Sequence, residues 1–196
     1  MASRASRPLG RPRSERARQA ILRAALELAR ERGAGALTMD AVVRRAAVSK
    51  ETVYRWWPSK THVLLEALAE FGERAIPIPD TGSLGGDLRA FMRATARALD
   101  PPTQRVLRTL AAEAATEKSL AAKVRDQFLA RRRAALGTVF QQAVSRGELS
   151  PERAHIDLDL VFGSLWYRLI FDLGPLDRNW ADAVSGAIAA QHAPRS

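Results

Sequence analysis

An all-α fold in two parts is what this sequence predicts. Three observations carry the prediction. Apolar residues recur at helical spacing along the chain, with Ser or Thr before most runs and Gly or Pro after them. No stretch alternates with period two as a half-buried strand would. The segment RAIPIPDTGS, residues 74–83, breaks the helical pattern with two prolines and a glycine and marks a domain boundary.

The elements follow in chain order. Residues 1–13 carry Pro8, Gly10, Pro12 and four arginines, and read as a disordered basic arm. Ser14 reads as an N-cap for a first helix in which Ile21, Leu22, Ala25, Leu28 and Ala29 share a face, with Gly33 as its stop. Thr38 reads as the cap of a short second helix, with Val42 and Ala46 on one face. Ser49 caps a third, KETVYRWW, which Pro58 ends. Ser59 opens a fourth, KTHVLLEALAEFGERA. Residues 14–73 thus form one module that includes the start of helix 4, and residues 74–196 form the second domain. There, Ser83 caps LGGDLRAFMRATARAL, and Pro101 and Pro102 break it. TQRVLRTLAAEAA follows, and a long helix covers roughly 117–146 and ends at Gly147. Ser150 and Pro151 open a helix containing DLDLVFGSLWYRLIFDL, apolar nearly all round and so predicted to be buried on every side. DRNWADAVSGAIAAQ closes the chain.

With 196 residues and 46% apolar composition, the chain can bury a sizeable core. It has no apolar run long enough to span a membrane and no secretory h-region at its start. Cysteine is absent, which excludes disulfides, thiol catalysis and Cys-based zinc sites and fits a cytoplasmic protein. The net charge of +10 is unevenly placed. Residues 1–60 hold 14 Lys and Arg against 5 Asp and Glu, whereas residues 61–196 hold 17 against 16. A basic module on a near-neutral remainder points to a polyanion, either nucleic acid or an anionic membrane surface. Arginine is favoured throughout, at 27 of the 31 cations, but the second part cancels that bias with acids.

The third helix decides between those partners. Val53 and Trp57 are four apart and face the core with Val48. On the opposite side lie the pairs Lys50 with Tyr54 and Glu51 with Arg55, flanked by Thr52 and Trp56. Two helices joined by a short turn, the second with basic and hydroxyl groups outward, make a helix-turn-helix whose second helix enters the major groove. Lys50 and Arg55 can donate to guanine edges or phosphates, and Glu51 can accept from a cytosine amino group. Thr38, Ser49, Thr52 and Tyr54 carry hydroxyls, of which those of Thr52 and Tyr54 suit phosphate oxygens; Trp56 lies on the same side. Lys60 sits in a helix first turn, where free amides favour an anion. Arg11 and Arg13 of the arm are candidates for the minor groove. The membrane alternative, an anchor made of the arm and helix 1, is weakened by Glu27 and Glu31 beside an ordinary apolar stripe.

The stretch TMDAVVRRAAVSKETVYRWWPSKTHVLLEAL resembles the DNA-binding domain of the TetR/AcrR family of transcriptional regulators. The matching features are Thr38, the V-S-K-x-T-x-Y core, the aromatic at Trp57 and the Ser59–Lys60 start of helix 4. One departure is Ala47, where the family usually carries glycine. PDTGSLGGDL and FGSLWYRLIFDLGPLD resemble one subtype of the family's C-terminal domains. The resemblance implies an all-helical homodimer that binds double-stranded DNA at a palindromic operator, with a small-molecule pocket in its second domain. It further implies a four-helix bundle made by the last two helices, about 154–173 and 178–191, with those of a partner.

Phe91, Arg108, Phe128, Trp166 and Tyr167 are the candidate effector contacts, and an arginine inside the cavity (Arg93, Arg97 or Arg108) would mark an anionic or polar effector. Leu160, Gly163, Ser164, Tyr167 and Ile188 are the candidate dimer contacts; Gly163 and Ser164 permit close helix approach. The cluster His155, Asp157 and Asp159 is spread around a helix and reads as a polar helix start, not a metal site. The run Arg131–Arg132–Arg133 reads as a solvated helix face. There is no phosphate loop, GxSxG or HExxH motif, so neither an enzyme nor a cofactor is expected.

Overall fold

A computed structural model describes residues 11–192, with side chains from residue 15 onward. Among the described residues there are ten α-helices, one π-helical segment and no strand. They form two compact units that divide after Ala67, inside the fourth helix.

The first unit begins with α1, Arg11–Arg32. Ser14 is therefore inside the helix and is not its cap. Pro12 lies in the first turn, where its missing N–H costs no hydrogen bond. Residues 1–10 of the expected arm lie outside the described residues, as do the side chains of Arg11 and Arg13. The predicted stripe is buried: Ile21, Leu22, Ala25, Leu28 and Ala29 are each at most 3% exposed. The second helix, α2 (Met39–Ala46), packs on α1, and α3 (Lys50–Trp56) packs on α2. Thr38 and Ser49 cap them as predicted, accepting from the amides of Ala41 and Thr52, each at 3.2 Å. Helix α4 spans Lys60–Ala75.

The turn between α2 and α3 hinges on Ala47, which adopts φ 53° and ψ 46°. Its amide and that of Val48 return to carbonyls of the last turn of α2, closing the helix end. The conformation is one that glycine adopts freely and that costs alanine about 1–2 kcal/mol.

The second unit contains α5 (Leu84–Ala98), α6 (Pro101–Thr116), α7 (Lys118–Lys123), a π segment (Val124–Leu129), α8 (Ala130–Ser145), α9 (Pro151–Phe171) and α10 (Arg178–Ala190). Helix α5 packs along α10 and against α8, while α9 packs against α8 and α6. Pro101 and Pro102 do more than end α5: they form the first turn of α6, capped by Asp100. The long helix expected at 117–146 is present but passes through the π segment.

The loop before α5 is held by a polar network. Asp87, fully buried, accepts from the Thr81 amide at 2.5 Å and the Thr81 hydroxyl at 2.8 Å. Its other oxygen accepts from Arg146 at 2.9 Å. Arg146 also binds Glu148, which accepts from the Leu84 amide at 2.6 Å. Burial opposes ionisation of Asp87, but the Thr81 donors and the Arg146 guanidinium outweigh it and hold the carboxyl below the usual carboxylate range. Gly86 is obligatory here, because a Cβ on it would stand 2.2 Å from the Thr81 hydroxyl oxygen. The GSLGGDL stretch is thus a clasp between the start of α5 and the end of α8.

Candidate nucleic-acid interface and core cavity

The α3 helix is amphipathic in the sense its spacing predicts. Val53 and Trp57 are 0% and 3% exposed. Lys50, Glu51, Tyr54 and Arg55 are exposed, and Thr52 and Trp56 are half-buried. The indole N–H of Trp57 donates to Glu66 of α4 at 2.5 Å. The other oxygen of Glu66 accepts from Arg18 of α1 at 2.5 and 3.2 Å. One carboxylate thereby ties α1, α3 and α4 together, and charge-assisted bonds of this kind are about twice as strong as neutral ones. Spacing could not reveal Glu66, because its partners are 48 and 9 residues away.

The outward groups are partly engaged with the protein itself. Tyr54 is 51% exposed. The ring of Trp56 lies 5.6 Å from that of Trp57, tilted by 36°, so the first tryptophan is partly anchored by the second. The hydroxyls of Ser49 and Thr52 stand 2.8 Å apart. Lys60 reaches the Gly35 carbonyl at 3.1 Å. Lys50 is engaged: its ammonium is 2.8 Å from Asp40, whose hydrogen bond raises the lysine's affinity for its proton and lowers that of the carboxyl. Both side chains are more than half exposed, so the pair is weak and can open for a base or phosphate. Glu31 and Glu27 of α1 meet Arg45 of α2, at 2.8 and 3.5 Å. The apolar stripe of α1 is buried, so that helix has no apolar face to offer a membrane.

The second unit encloses a cavity of about 60 Å³. Of the candidate effector contacts, Phe91, Phe128 and Trp166 line it. Tyr167 does not: it is 61% exposed on the far side of α9. Arg108 does not either; it donates to the Leu169 carbonyl and to Asp172, each at 2.7 Å, and secures the end of α9 where Asp172 turns left-handed at φ 53°. Arg93 pairs with Asp182 at 2.6 Å, away from the cavity. The arginine that lines it is Arg132, from the run expected to be solvated. It is 6% exposed. Its neighbours Arg131 and Arg133 meet Glu73 and Asp159 at the surface.

A signal for Arg132 exists in the sequence. Leu120, Val124, Phe128, Arg132 and Leu136 are spaced by four and all are buried. At 100° per residue, each step of four overshoots a full turn by about 40°. The wider π turn at Val124–Leu129 takes up that drift and keeps both flanks facing inward. Gly72 provides the space, since a Cβ there would stand 3.1 Å from Arg132 Cδ.

The outer face of α9 is apolar and uncovered. Ile156, Leu160, Tyr167, Ile170 and Phe171 are 49–65% exposed, and the exposed Gly163 continues their stripe. The expectation of burial on every side fails for this chain alone. Ile188, expected at the same surface, is 3% exposed inside the unit. Ser164 turns its hydroxyl to the Val161 carbonyl. Asp157 is not solvated either: it is fully buried and meets His192 at 2.6 Å. His155 and Asp159 point away to the surface, and no cluster able to hold a metal occurs among the described residues. No described helix is long and apolar enough to cross a membrane.

Comparison with known proteins fits this geometry. Residues 21–67 match the family model described as bacterial regulatory proteins, tetR family, and residues 78–188 match the tetracyclin repressor-like C-terminal domain. The chain is 33% identical over 162 residues to YdeS of Bacillus subtilis, an uncharacterized HTH-type transcriptional regulator, covering 82% of each chain. It is 49% identical over 57 residues to the HTH-type transcriptional repressor KstR of Rhodococcus jostii, covering 29% of this chain and 27% of that one. The solved TetR family transcription regulator SCO0332 superposes with a TM-score of 0.80 at 30% identity, covering 91% of this chain and 99% of that one. A helix-turn-helix with its polar face outward and a helical second unit, matched over most of the length, have one explanation: this chain belongs to the TetR family of DNA-binding transcriptional regulators.

Proposed function

We propose that this protein is a dimeric one-component repressor that binds a palindromic operator and is released by a small molecule. The observation that carries the reading is the α3 helix, clamped from behind by Trp57 and Glu66 while Lys50, Tyr54 and Arg55 stand outward. Lys50 and Arg55 are assigned to base edges, and Tyr54, Thr52 and Lys60 to phosphates. Thr38 caps its helix with a lone pair and keeps its hydroxyl hydrogen for a DNA backbone oxygen, while Ser49 and Thr52 share one hydrogen bond, so one of the two keeps a hydrogen for it. The likeness of 57 residues of this chain to the Rhodococcus jostii repressor supports repression as the direction.

The dimer is supported by the stripe on α9, which leaves five large apolar side chains about half exposed. A second copy would cover it and set two recognition helices one DNA turn apart, about 34 Å. Release is assigned to the cavity. Helix α4 carries Lys60 and Glu66 near its start, and Phe71, Gly72 and Ile76, which line the cavity, near its end. A ligand that favours one position of α4 would change DNA affinity by its differential binding to the two states. The small resting volume favours one rival, a second unit that only dimerises, because ligand sites usually measure about 300–1,000 Å³.

Selection of bound sequences from random duplex DNA at physiological salt tests the reading. A recovered palindrome is the expected result, and recovery of unspecific DNA would overturn it. On the recovered operator, Tyr54→Phe and Lys60→Ala should weaken binding about equally for all sequences, whereas Lys50→Ala should lose about tenfold and relax preference at one base pair.

A further inference from the structure

The cavity wall holds a chemical contradiction. Among its described residues every side chain is apolar or a threonine, save one arginine. Both terminal nitrogens of Arg132 are buried without a hydrogen-bond partner. The hydroxyl of Thr103, which also lines the cavity, is buried and unpartnered as well. An unpaired buried guanidinium is among the costlier groups a core can hold. Its charge is 5.5 Å from the centre of the Phe91 ring, but a ring face offers no lone pair to N–H groups. The acid in reach, Glu73, is half exposed and already bridges to Arg131 at 3.6 Å. Burial lowers the proton affinity of Arg132 and Glu73 opposes this only in part, so the site lacks a counter-charge.

We propose that the cavity is a site for an apolar monoanion, a carboxylate joined to a hydrocarbon body. The carboxylate would take the fork of Arg132 donors and the Thr103 hydroxyl, and the hydrocarbon would lie among Phe91, Phe128 and Trp166. This rests on the reading of the second unit as the effector domain and names the effector's class. A single guanidinium with no second cation on the wall suits one negative charge, which excludes phosphate dianions. The apolar remainder of the wall excludes polar bodies such as sugars. Gly72 is part of the device, since any larger residue there would press on the arginine stem. At about 60 Å³ the cavity must widen to admit such a body, so binding is coupled to movement of its walls, which include the end of α4.

The test titrates the purified full-length protein with the straight-chain carboxylates hexanoate through dodecanoate. Each is paired with its primary alcohol and its methyl ester, and calorimetry is followed alongside tryptophan fluorescence. At least one acid should bind about tenfold or more tightly than both neutral partners, with a change in fluorescence as the cavity widens. In Arg132→Met the preference for the acid should vanish while the melting temperature stays level or rises, because an unpaired buried charge has been removed. Arg132→Lys should keep part of the preference and serves if the methionine variant fails to fold. Equal binding of acid and alcohol, survival of the preference in Arg132→Met, or no binding at any chain length would overturn the proposal. Operator binding is measured on the same samples. If it persists while no carboxylate binds, the effector class is wrong and the regulator reading stands; if it is absent, the regulator reading itself fails.

Discussion

The two units handle their polar groups in opposite ways. In the first, Trp57 and Arg18 converge on Glu66, Arg45 meets Glu31, and the capping hydroxyls of Thr38 and Ser49 each accept an amide. In the second, Thr103, Arg132, Gln142, Asp157 and Trp180 each bury an atom without a hydrogen-bond partner, and among the described residues all such atoms lie in this unit. Buried polar atoms in native proteins are nearly always satisfied, so a concentration of exceptions in one unit asks for a reason. A unit that must present a fixed set of donors to DNA gains from a fully matched interior. On the function proposed above, a unit that responds to an effector gains from an interior that the effector completes.

That contrast can be broken at its strongest point first. Trp57→Ala removes a buried ring and leaves Glu66 with one partner fewer, and should cost about 3–5 kcal/mol together with operator binding. Thermal unfolding followed by circular dichroism measures the cost, and a loss below about 1 kcal/mol would show that the clamp does not hold the first unit.

The second unit also has well-matched sites, the Asp87 clasp among them, and that clasp sharpens the contrast. Asp87 ionises more readily folded than unfolded, so the stability it contributes is present above the ordinary carboxylate range and is lost as pH falls through its lowered folded value. Asp87→Asn should lower stability at neutral pH by about 1–3 kcal/mol and flatten the decline as pH falls below the ordinary carboxylate range. Parallel melting curves of variant and parent across that range would remove Asp87 from the account.

The smallest expected effect lies at a strained residue of the first unit. Ala47→Gly relieves a left-handed alanine and should stabilise by about 1 kcal/mol, raising the melting temperature by a few degrees without changing the operator sequence. A lower melting temperature would mean that glycine's freedom in the unfolded chain outweighs the relief.

The helix-turn-helix was legible because its information is local. Caps sit next to the helices they cap, and Val53 and Trp57 declare a shared face by their spacing. Ala47, noted from the sequence only as standing where the family usually carries glycine, adopts the left-handed conformation that glycine takes freely. Ser14 misled for the same reason: a good cap type was present, but the backbone continued into helix through Pro12, which a first turn tolerates. In the second unit the decisive facts are long-range. Nothing near Asp157 in the sequence announces His192, and nothing near Arg108 announces the carbonyl of Leu169. Arg132 was misread by composition, since three adjacent arginines look like surface, although their phase relative to Phe128 and Leu136 singles out the middle one. Helix α9 was read as apolar nearly all round and so as buried, but sequence cannot say whether a side is covered by the same chain or by another.

The π segment at Val124–Leu129 bears on how relatives of this chain should be read. A π turn holds one residue more than the α-helix that would replace it, yet leaves the flanking turns facing as before. A homologue one residue shorter at this point would run as unbroken α-helix and still turn its counterpart of Arg132 inward. An alignment drawn without a gap there would pair Arg132 with a surface position in that homologue. Length variation at this turn therefore leaves the facing of the arginine unchanged while altering the stretch that carries Phe128 and Leu129, and counterparts of the buried arginine are found by counting back from Leu136, not forward from Leu120.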